Sequence, residues 1–311
     1  MKLQEPLVSV LVPTYNSAAF LEEAIESVLA QTCTNFELLI VDNQSTDNTK
    51  ELVQQYLSDP RVQYHLNEKN LGMVGNFNRC LELAQGKYIK FLMSDDKFHP
   101  EILEKFVAVM EAHPNVSLVT SDRGIFGAVN YTWVLPFHHL QAGKMVIADN
   151  LKSVNWLGEP TTVMIRKANM FVGPFNPEFH YLTDWDMWLR HLAVGDCYIV
   201  PGVYSYFRIH ANQSTKQIMQ NIGNYIEEYR FYKNIQKHNK LQLDLQEIKM
   251  DRLVSVKALF CSKVIIKGVL SRKLKKNWKL MAQAFQIIRK EHVPLHLYLK
   301  LFSKKRLSEI Y

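Results

Sequence analysis

Apolar runs alternate with amphipathic segments along most of the chain. Leu7-Val-Ser-Val-Leu-Val-Pro13 is a continuous apolar run, which predicts a parallel strand buried on both faces. Asn16 or Ser17 can cap a following helix, with Glu22 and Glu23 in its early turns where the dipole favours anions. Phe20, Leu21, Ala24, Ile25, Val28 and Leu29 then recur at helical spacing. Phe36 to Val41 predicts a second buried strand ending at Asp42, and Ser45-Thr-Asp47 offers cap chemistry for a helix through Tyr56. Val62 to Leu66 reads as a strand, Asn76 to Ala84 as a helix, and Tyr88 to Met93 as the central strand. Gly86 has the place of a glycine that ends the preceding helix. A helix from Pro100 to about His113 and a strand from Val116 to Thr120 complete this half. The rhythm predicts an α/β fold, a mixed and mostly parallel doubly wound sheet with helices on both faces.

Residues 121–160 lose the periodicity and are rich in aromatic residues and His, which predicts an irregular segment lining a site. Beyond it, Thr161 to Arg166 reads as a strand, Gly173 to Pro177 as a loop, Asp184 to Val194 as a helix and Gly202 to Ile209 as a strand. From Thr215 the pattern is helical and lysine-rich. The expected division is a sheet domain over 1–215 and a helical, basic extension over 216–311.

Composition narrows the class. Hydrophobic residues make up 47% of the 311, ample for a core. No run approaches the ~18 uncharged apolar residues of a membrane span, and Met1 to Pro6 lacks a signal-peptide core. Cys33, Cys80, Cys197 and Cys261 are scattered without Cys-x-x-Cys spacing, as expected of reduced cytosolic thiols. The net charge of +7 is uneven: residues 1–215 carry −7 and residues 216–311 carry +14. Leu274, Trp278, Met281, Phe285 and Ile288 form an apolar helical seam ringed by Lys275, Lys276, Lys279, Arg289 and Lys290. Such a segment packs on its own domain or lies on an anionic membrane surface. No nucleic-acid motif accompanies the charge, which argues against that partner.

Polar residues gather at the strand ends. Thr14 and Tyr15 follow the first strand, Asp42 the second, Asn70 and Gly72 the third, and Asp95 and Asp96 the fourth. In an open α/β sheet these positions share the edge where ligands bind. Adjacent carboxylates there can hold Mg²⁺ against a phosphate, although Asp95 or Asp96 could instead cap the helix near Pro100. No Gly-x-Gly-x-x-Gly and no Gly-Lys-Ser/Thr follows the first strand, against a dinucleotide fold or a P-loop.

Val8-Ser-Val-Leu-Val-Pro-Thr-Tyr-Asn16, Glu37-Leu-Leu-Ile-Val-Asp42 with Ser45-Thr-Asp47, Asn70-Leu-Gly72, Gly86-Lys-Tyr-Ile and Ser94-Asp-Asp96 together resemble the family 2 glycosyltransferases of GT-A fold, over about residues 6–215. The resemblance implies inverting transfer of a sugar from a nucleoside diphosphate sugar, with Mg²⁺ or Mn²⁺, to a glycan or lipid-linked acceptor in cell-surface polysaccharide or glycolipid synthesis. It implies that Pro13, Thr14 and Asp42 hold base and ribose, Asp95 the ribose region and Asp96 the metal. Leu182-Thr-Asp-Trp-Asp-Met-Trp-Leu-Arg190 resembles the segment supplying the catalytic base, which falls on Asp184. Tyr206-Phe-Arg-Ile-His210 resembles a segment whose His approaches the metal or diphosphate. Alternation puts Arg208 on the same strand face as His210, where its fork suits phosphate. Glu159 and Trp185 are candidates for the acceptor pocket.

Two departures matter. Met93 replaces the leading Asp of the usual Asp-x-Asp-Asp, and Thr183 replaces the Glu usual before Asp184. Thr183 and Asp186 also have capping-box spacing. These departures keep open an alternative, a non-catalytic nucleotide-sugar-binding protein of the same fold. A sugar-phosphate nucleotidyltransferase lacks its Gly-rich, lysine-containing loop here. A cytoplasmic enzyme, peripheral at the membrane face through its tail, is the expectation.

Overall fold

Seven successive residues of the first strand, β1 (Val8–Thr14), are shielded from water, as are all seven of β2 (Phe36–Asp42). Both strands have neighbours on both sides and helices above and below, so an unbroken apolar run suits them better than alternation. The computed structural model describes residues 5–211, 213, 223–270 and 278–291. They divide into two compact units, residues 1–150 with 155–213 and residues 151–154 with 214–311.

The first unit is built on one sheet. After β1 and β2 come β3 (Val62–Leu66), β4 (Tyr88–Phe91), β5 (Lys97–Phe98), β6 (Val116–Gly127), β7 (Tyr131–Trp133), β8 (His139–Gln141), β9 (Met164–Arg166) and β10 (Asp196–Ile209). The order is β3-β2-β1-β4-β9-β6-β10-β5, with β7 beside β6 and β8 beside β10. Strands β3, β2, β1 and β4 are parallel, and β9 runs against both β4 and β6. Register aligns Thr14 with Asp42 and Asp42 with Leu66, which brings the carboxyl ends level along one edge. The helices are α1 (Ala18–Leu29), α2 (Thr49–Gln54), α3 (Gly72–Leu83), α4 (Ile102–Ala112), α5 (Gly143–Lys152) and α6 (Thr183–Leu192). Leu21, Ala24, Ile25 and Val28 of α1 and Phe106 and Met110 of α4 join the strands in one core.

Several local expectations change. Residues 121–160 are largely regular: β6 continues to Gly127, and β7, β8 and α5 follow. Ser121, Asp122 and Arg123 look unlike a buried strand in sequence, yet they are buried with partners inside the protein. Asp122, for example, accepts from Leu135 N at 2.8 Å. Strand β10 starts six residues before the expected Gly202 and passes a register shift there, between Val200 and Val203. Gly202 has φ +107°, a conformation that favours glycine. Gly86 does not end a helix, since α3 stops at Leu83. A Cβ on Gly86 would stand 2.5 Å from Ser9 N, so the glycine is needed where β4 leans on β1.

The second unit holds α7 (Gly223–His238), α8 (Met250–Leu270) and α9 (Trp278–Lys290). Glu291 accepts from Tyr229 at 2.6 Å and pairs with Lys233 at 2.7 Å, and Ser262 donates to Ala284 O at 3.0 Å. Of the expected seam, Leu274 and the side chains of Trp278 and Met281 lie outside the described residues. The other two members diverge: Ile288 is 5% exposed and Phe285 49%. No described helix is long and apolar enough to cross a membrane.

Candidate active site

The sheet edge after β1 and β2 is assembled by polar crossties. Pro13 is buried in β1 opposite Val41, Thr14 is 1% exposed, and Tyr15 is half exposed. The Thr14 hydroxyl is buried without a hydrogen-bond partner, an uncommon state for a hydroxyl facing no ligand. Asp42 Oδ1 accepts from Ser45 N at 2.8 Å, and Oδ2 accepts from the Tyr64 hydroxyl at 2.6 Å. Burial, and then that carboxylate, raise the Tyr64 phenol well above its usual range.

Neither Asn16 nor Ser17 caps α1. Its first N–H, on Ala18, donates instead to Asp47 Oδ2 at 3.0 Å, a cap supplied from the loop after β2. Asn70 joins a network: Asn43 donates to Asn70 Oδ1 at 2.9 Å and accepts from Asn67 at 3.1 Å and Leu71 N at 2.7 Å. Asn76 closes it, accepting from Asn67 at 2.8 Å and donating to Val41 O at 3.0 Å. Gly72 opens α3 with φ +73° and nothing within 4 Å of an added Cβ, a conformational need with open space beside it.

The two carboxylates after β4 differ in surroundings. Asp96 is 1% exposed, and both its oxygens are taken, Oδ1 by Arg208 N at 2.9 Å and Oδ2 by Thr161 Oγ1 at 2.5 Å. Burial, then Asp95 and Glu159, hold its carboxyl well above the usual range. Each Asp96 oxygen, expected on the metal, thus carries one hydrogen bond from within the protein. Asp95 is the accessible one, 26% exposed, with Oδ2 3.0 Å from His210 Nε2. Phe20 backs the imidazole, ring centroids 4.6 Å apart. Neither acid caps α4, which begins at Ile102 after Glu101 with no side-chain cap.

Arg208 shares the face of His210, and two of its side-chain nitrogens bond within the protein. Nε donates to Asp95 O at 2.8 Å and Nη2 pairs with Glu23, while the guanidinium lies 4.3 Å from the centroid of the Phe126 ring. These bonds of Nε and Nη2 brace the acid corner. Glu23 also pairs with Lys97 at 2.7 Å, so it ties α1 to this corner and does not serve the α1 dipole.

Asp184 sits in the first turn of α6, and its Oδ1 accepts from Trp185 N at 2.7 Å. Burial pushes its carboxyl up to about 7, helped by Glu159 and opposed by that N–H and by Arg123. The expected capping box is absent: Thr183 is inside the helix and its buried hydroxyl has no hydrogen-bond partner. Asp186 instead pairs with Arg190 at 2.8 Å. Arg190 also donates to the carbonyls of Val172, Gly173 and Pro174 at 2.8 to 2.9 Å, pinning the loop before α6. Trp185, a candidate for the acceptor pocket, is 3% exposed and lies in the core. Glu159 is held by Thr162 at 2.6 Å and Arg123 at 3.3 Å.

Sequence reasoning passed over Arg123, Thr161, Tyr64 and Lys90. Lys90 is fully buried, donating to the carbonyls of Thr161 and Val163, and burial lowers its ammonium well below the usual range. A lysine inside an apolar strand and an arginine inside a polar stretch were signals that such groups needed partners. Among the described residues no group of three or more His, Cys, Asp or Glu could hold a metal ion. A carboxylate with an imidazole does fit Mg²⁺ or Mn²⁺ when phosphate oxygens and water complete the shell.

The sequence matches the family described as Glycosyl transferase family 2 over residues 9–171. An uncharacterized glycosyltransferase of Haemophilus influenzae is 26% identical over 281 residues, 85% of this chain and 84% of that one. Among solved structures, S. aureus TarS 1-349 in complex with UDP-GlcNAc superposes with TM-score 0.70 at 20% identity, over 93% of this chain and 82% of that chain. The mannosyltransferase PcManGT from Pyrobaculum calidifontis, in complex with GDP-Man and Mn²⁺, does so with TM-score 0.57 at 14% identity, over 97% and 89%. At these identities the likeness concerns the fold, the mixed, mostly parallel sheet of GT-A glycosyltransferases.

Proposed function

The chain belongs to glycosyl transferase family 2, and from that premise we propose that it moves a sugar from a nucleoside diphosphate donor to an acceptor hydroxyl with inversion. The donor lies along the sheet edge: base and ribose against Pro13, Thr14, Tyr15, Asp42, Asn70 and Gly72, diphosphate toward Asp95 and His210. The unsatisfied Thr14 hydroxyl supports this placement, since a bound ligand would give it a partner. Asp95 and His210 would hold Mg²⁺ or Mn²⁺, which when bound offsets the charge of the departing diphosphate. Asp96, Arg208 and Glu23 hold that corner in shape.

Asp184 is the general base. The acceptor hydroxyl gives its proton to the Asp184 carboxylate as its oxygen attacks the anomeric carbon, on the face opposite the leaving diphosphate, and one displacement inverts that centre. The place of Asp184 in the first turn of α6 carries the reading, and a carboxyl near 7 is basic enough to accept a proton while about half ionised at neutral pH. Residues 1–215 form the catalytic domain and 216–311 a helical, basic extension that rests on an anionic membrane surface. That location suits a glycan or lipid-linked acceptor in cell-surface polysaccharide or glycolipid synthesis.

The test is a panel of nucleoside diphosphate sugars, each scored for thermal stabilisation with Mn²⁺ or EDTA and for release of the nucleoside diphosphate. One donor that both stabilises and turns over supports the enzyme. Stabilisation without turnover, in the presence of candidate acceptors, favours the non-catalytic binding protein that Met93 and Thr183 keep in view.

A further inference from the structure

Two large aromatic side chains left open to solvent stand together on β7: Tyr131 is 49% exposed and Trp133 38%. Trp156, Trp185 and Trp188, by contrast, are at most 4% exposed. Strand alternation puts Tyr131 and Trp133 on one face, and register sets Trp133 beside Arg123 and Tyr131 beside Ile125. The Arg123 guanidinium lies over the Trp133 ring, 4.9 Å from its centroid. That arginine is itself fixed, paired with Glu159 at 3.3 Å and donating to Trp156 O at 3.4 Å. The indole is thus seated against a braced cation and keeps surface open to water.

Contacts carry this face of β7 into the site. Glu159, held by Arg123, also accepts from Thr162 Oγ1 at 2.6 Å, and neighbouring Thr161 donates to Asp96. In the same turn Gly158 O accepts at 3.0 Å from Nε1 of Trp188, one turn along α6 from Asp184. The sheet order places β7 beside β6, on the far side of β4 from the β1–β3 edge assigned above to the donor. The donor edge and the aromatic face therefore flank the acid corner from opposite sides.

We propose that Trp133 and Tyr131 form a stacking surface for a sugar ring of the acceptor, so that the acceptor recognised here is a saccharide. The inference rests on the reading of the chain as a glycosyltransferase. A pyranose has a flat face of C–H bonds and a rim of hydroxyls, so it packs on an aromatic ring while its rim stays hydrated. Two half-exposed rings on one strand face supply that surface, and the Arg123–Glu159 pair keeps its base polar. An alkyl chain gains most where water is excluded all round, which half-exposed rings over an ion pair do not achieve.

The test is saturation-transfer-difference NMR on the full chain with cellohexaose, chitohexaose and mannohexaose, and with octyl glucoside below its micelle threshold. Ring C–H protons of at least one hexasaccharide should receive saturation. Trp133→Ala should weaken that binding about tenfold, with Tyr131→Ala acting in the same direction. Trp133→Phe keeps an aromatic face and should stay within about threefold of the parent. No saturation of any hexasaccharide overturns the proposal, as does an undiminished signal in Trp133→Leu, which keeps apolar bulk without a ring. Saturation confined to the octyl chain of octyl glucoside also overturns it, because the surface then takes alkyl chains. Should Trp133→Ala not fold, Trp133→Leu and Tyr131→Ala decide. The measurement uses no donor and no turnover, so its failure is distinct from failure of the donor panel that tests the transferase reading.

Discussion

His210 Nε2 stands 3.0 Å from Asp95 Oδ2, so the end of β10 and the corner after β4 meet in one carboxylate–imidazole pair. Adjacent Asp96, by contrast, has both oxygens bound inside the protein. Asp95→Asn and His210→Ala should therefore each remove most of the extra stabilisation that Mn²⁺ gives in the presence of UDP or GDP. A ligand at about 100-fold excess over its Kd adds ~2.7 kcal/mol, enough to read as a melting shift. Asp96→Ala should lower stability with and without Mn²⁺, because it strips partners from Arg208 N and Thr161 at about 1–3 kcal/mol for each buried group left unpaired. The assignment fails if Asp96→Ala erases the Mn²⁺-dependent part while Asp95→Asn keeps it.

Asp184 should govern the acid limb of activity. With its carboxyl near 7, kcat/KM should fall about tenfold for each pH unit below that value. Asp184→Asn should keep donor affinity by calorimetry and lower turnover by about 10²–10⁴. Near-normal turnover in that variant would place the base elsewhere.

The same group makes a prediction about stability. Its folded pKa of about 7 exceeds the ordinary 3.8, so the folded protein holds the proton more tightly than the unfolded chain. The stability gained from this is full below 3.8 and is lost as pH rises through about 7. Asp184→Asn avoids the cost of an ionised, partly buried carboxylate. It should thus be more stable than the parent at about pH 8, by an upper bound of ~4 kcal/mol, with the difference vanishing in acid. Urea unfolding at both ends of the range checks the sign.

Asp186 serves the fold through Arg190, which holds three loop carbonyls as well as the carboxylate. Arg190→Ala should cost about 2–4 kcal/mol in urea unfolding, since it leaves a half-buried acid and several carbonyls without their donor. Asp186→Asn should cost about 1 kcal/mol and leave turnover per folded molecule near the parent's. A selective loss of turnover in Asp186→Asn would instead put Asp186 in the chemistry.

Gly86→Ala should be among the more damaging single-methyl additions in the sheet. Its Cβ would meet backbone atoms, Ser9 N at 2.5 Å and Val8 C at 2.7 Å, and the Gly86 N–H is bonded to Ser9 Oγ at 2.8 Å. Separating β4 from β1 to make room should cost about 2 kcal/mol or more. A variant with parental unfolding behaviour would show that the strands can part cheaply.

The basic tail should bind anionic vesicles in a salt-sensitive way, each basic residue at the surface contributing about 1 kcal/mol. Replacing Arg272, Lys273, Lys275, Lys276 and Lys279 by Gln should abolish co-sedimentation of the full chain. Retention of binding after that change means the tail is not the anchor.

The sequence by itself determined the main strand–helix alternation as far as Thr120, the ends of β1 and β2 at Thr14 and Asp42, and the family. These are local: an unbroken apolar run is a buried strand wherever it is placed, and polar residues following it fall at one edge of a parallel sheet. Helix α6 and the apolar face of α1 were legible for the same reason.

Only the tertiary structure decided what each polar side chain does. Asp95 and Asp96 are neighbours of the same type, and nothing in their order says that one is sealed behind Thr161 and Arg208 while the other meets His210. The cap of α1 comes from Asp47, 29 residues from Ala18 in sequence. Strand β6 was invisible beyond Thr120 because Asp122 and Arg123 find their partners only after Leu135 and Glu159 have folded back on them. Burial and pairing at long separation set the charge of Asp184, and those depend on where distant segments meet.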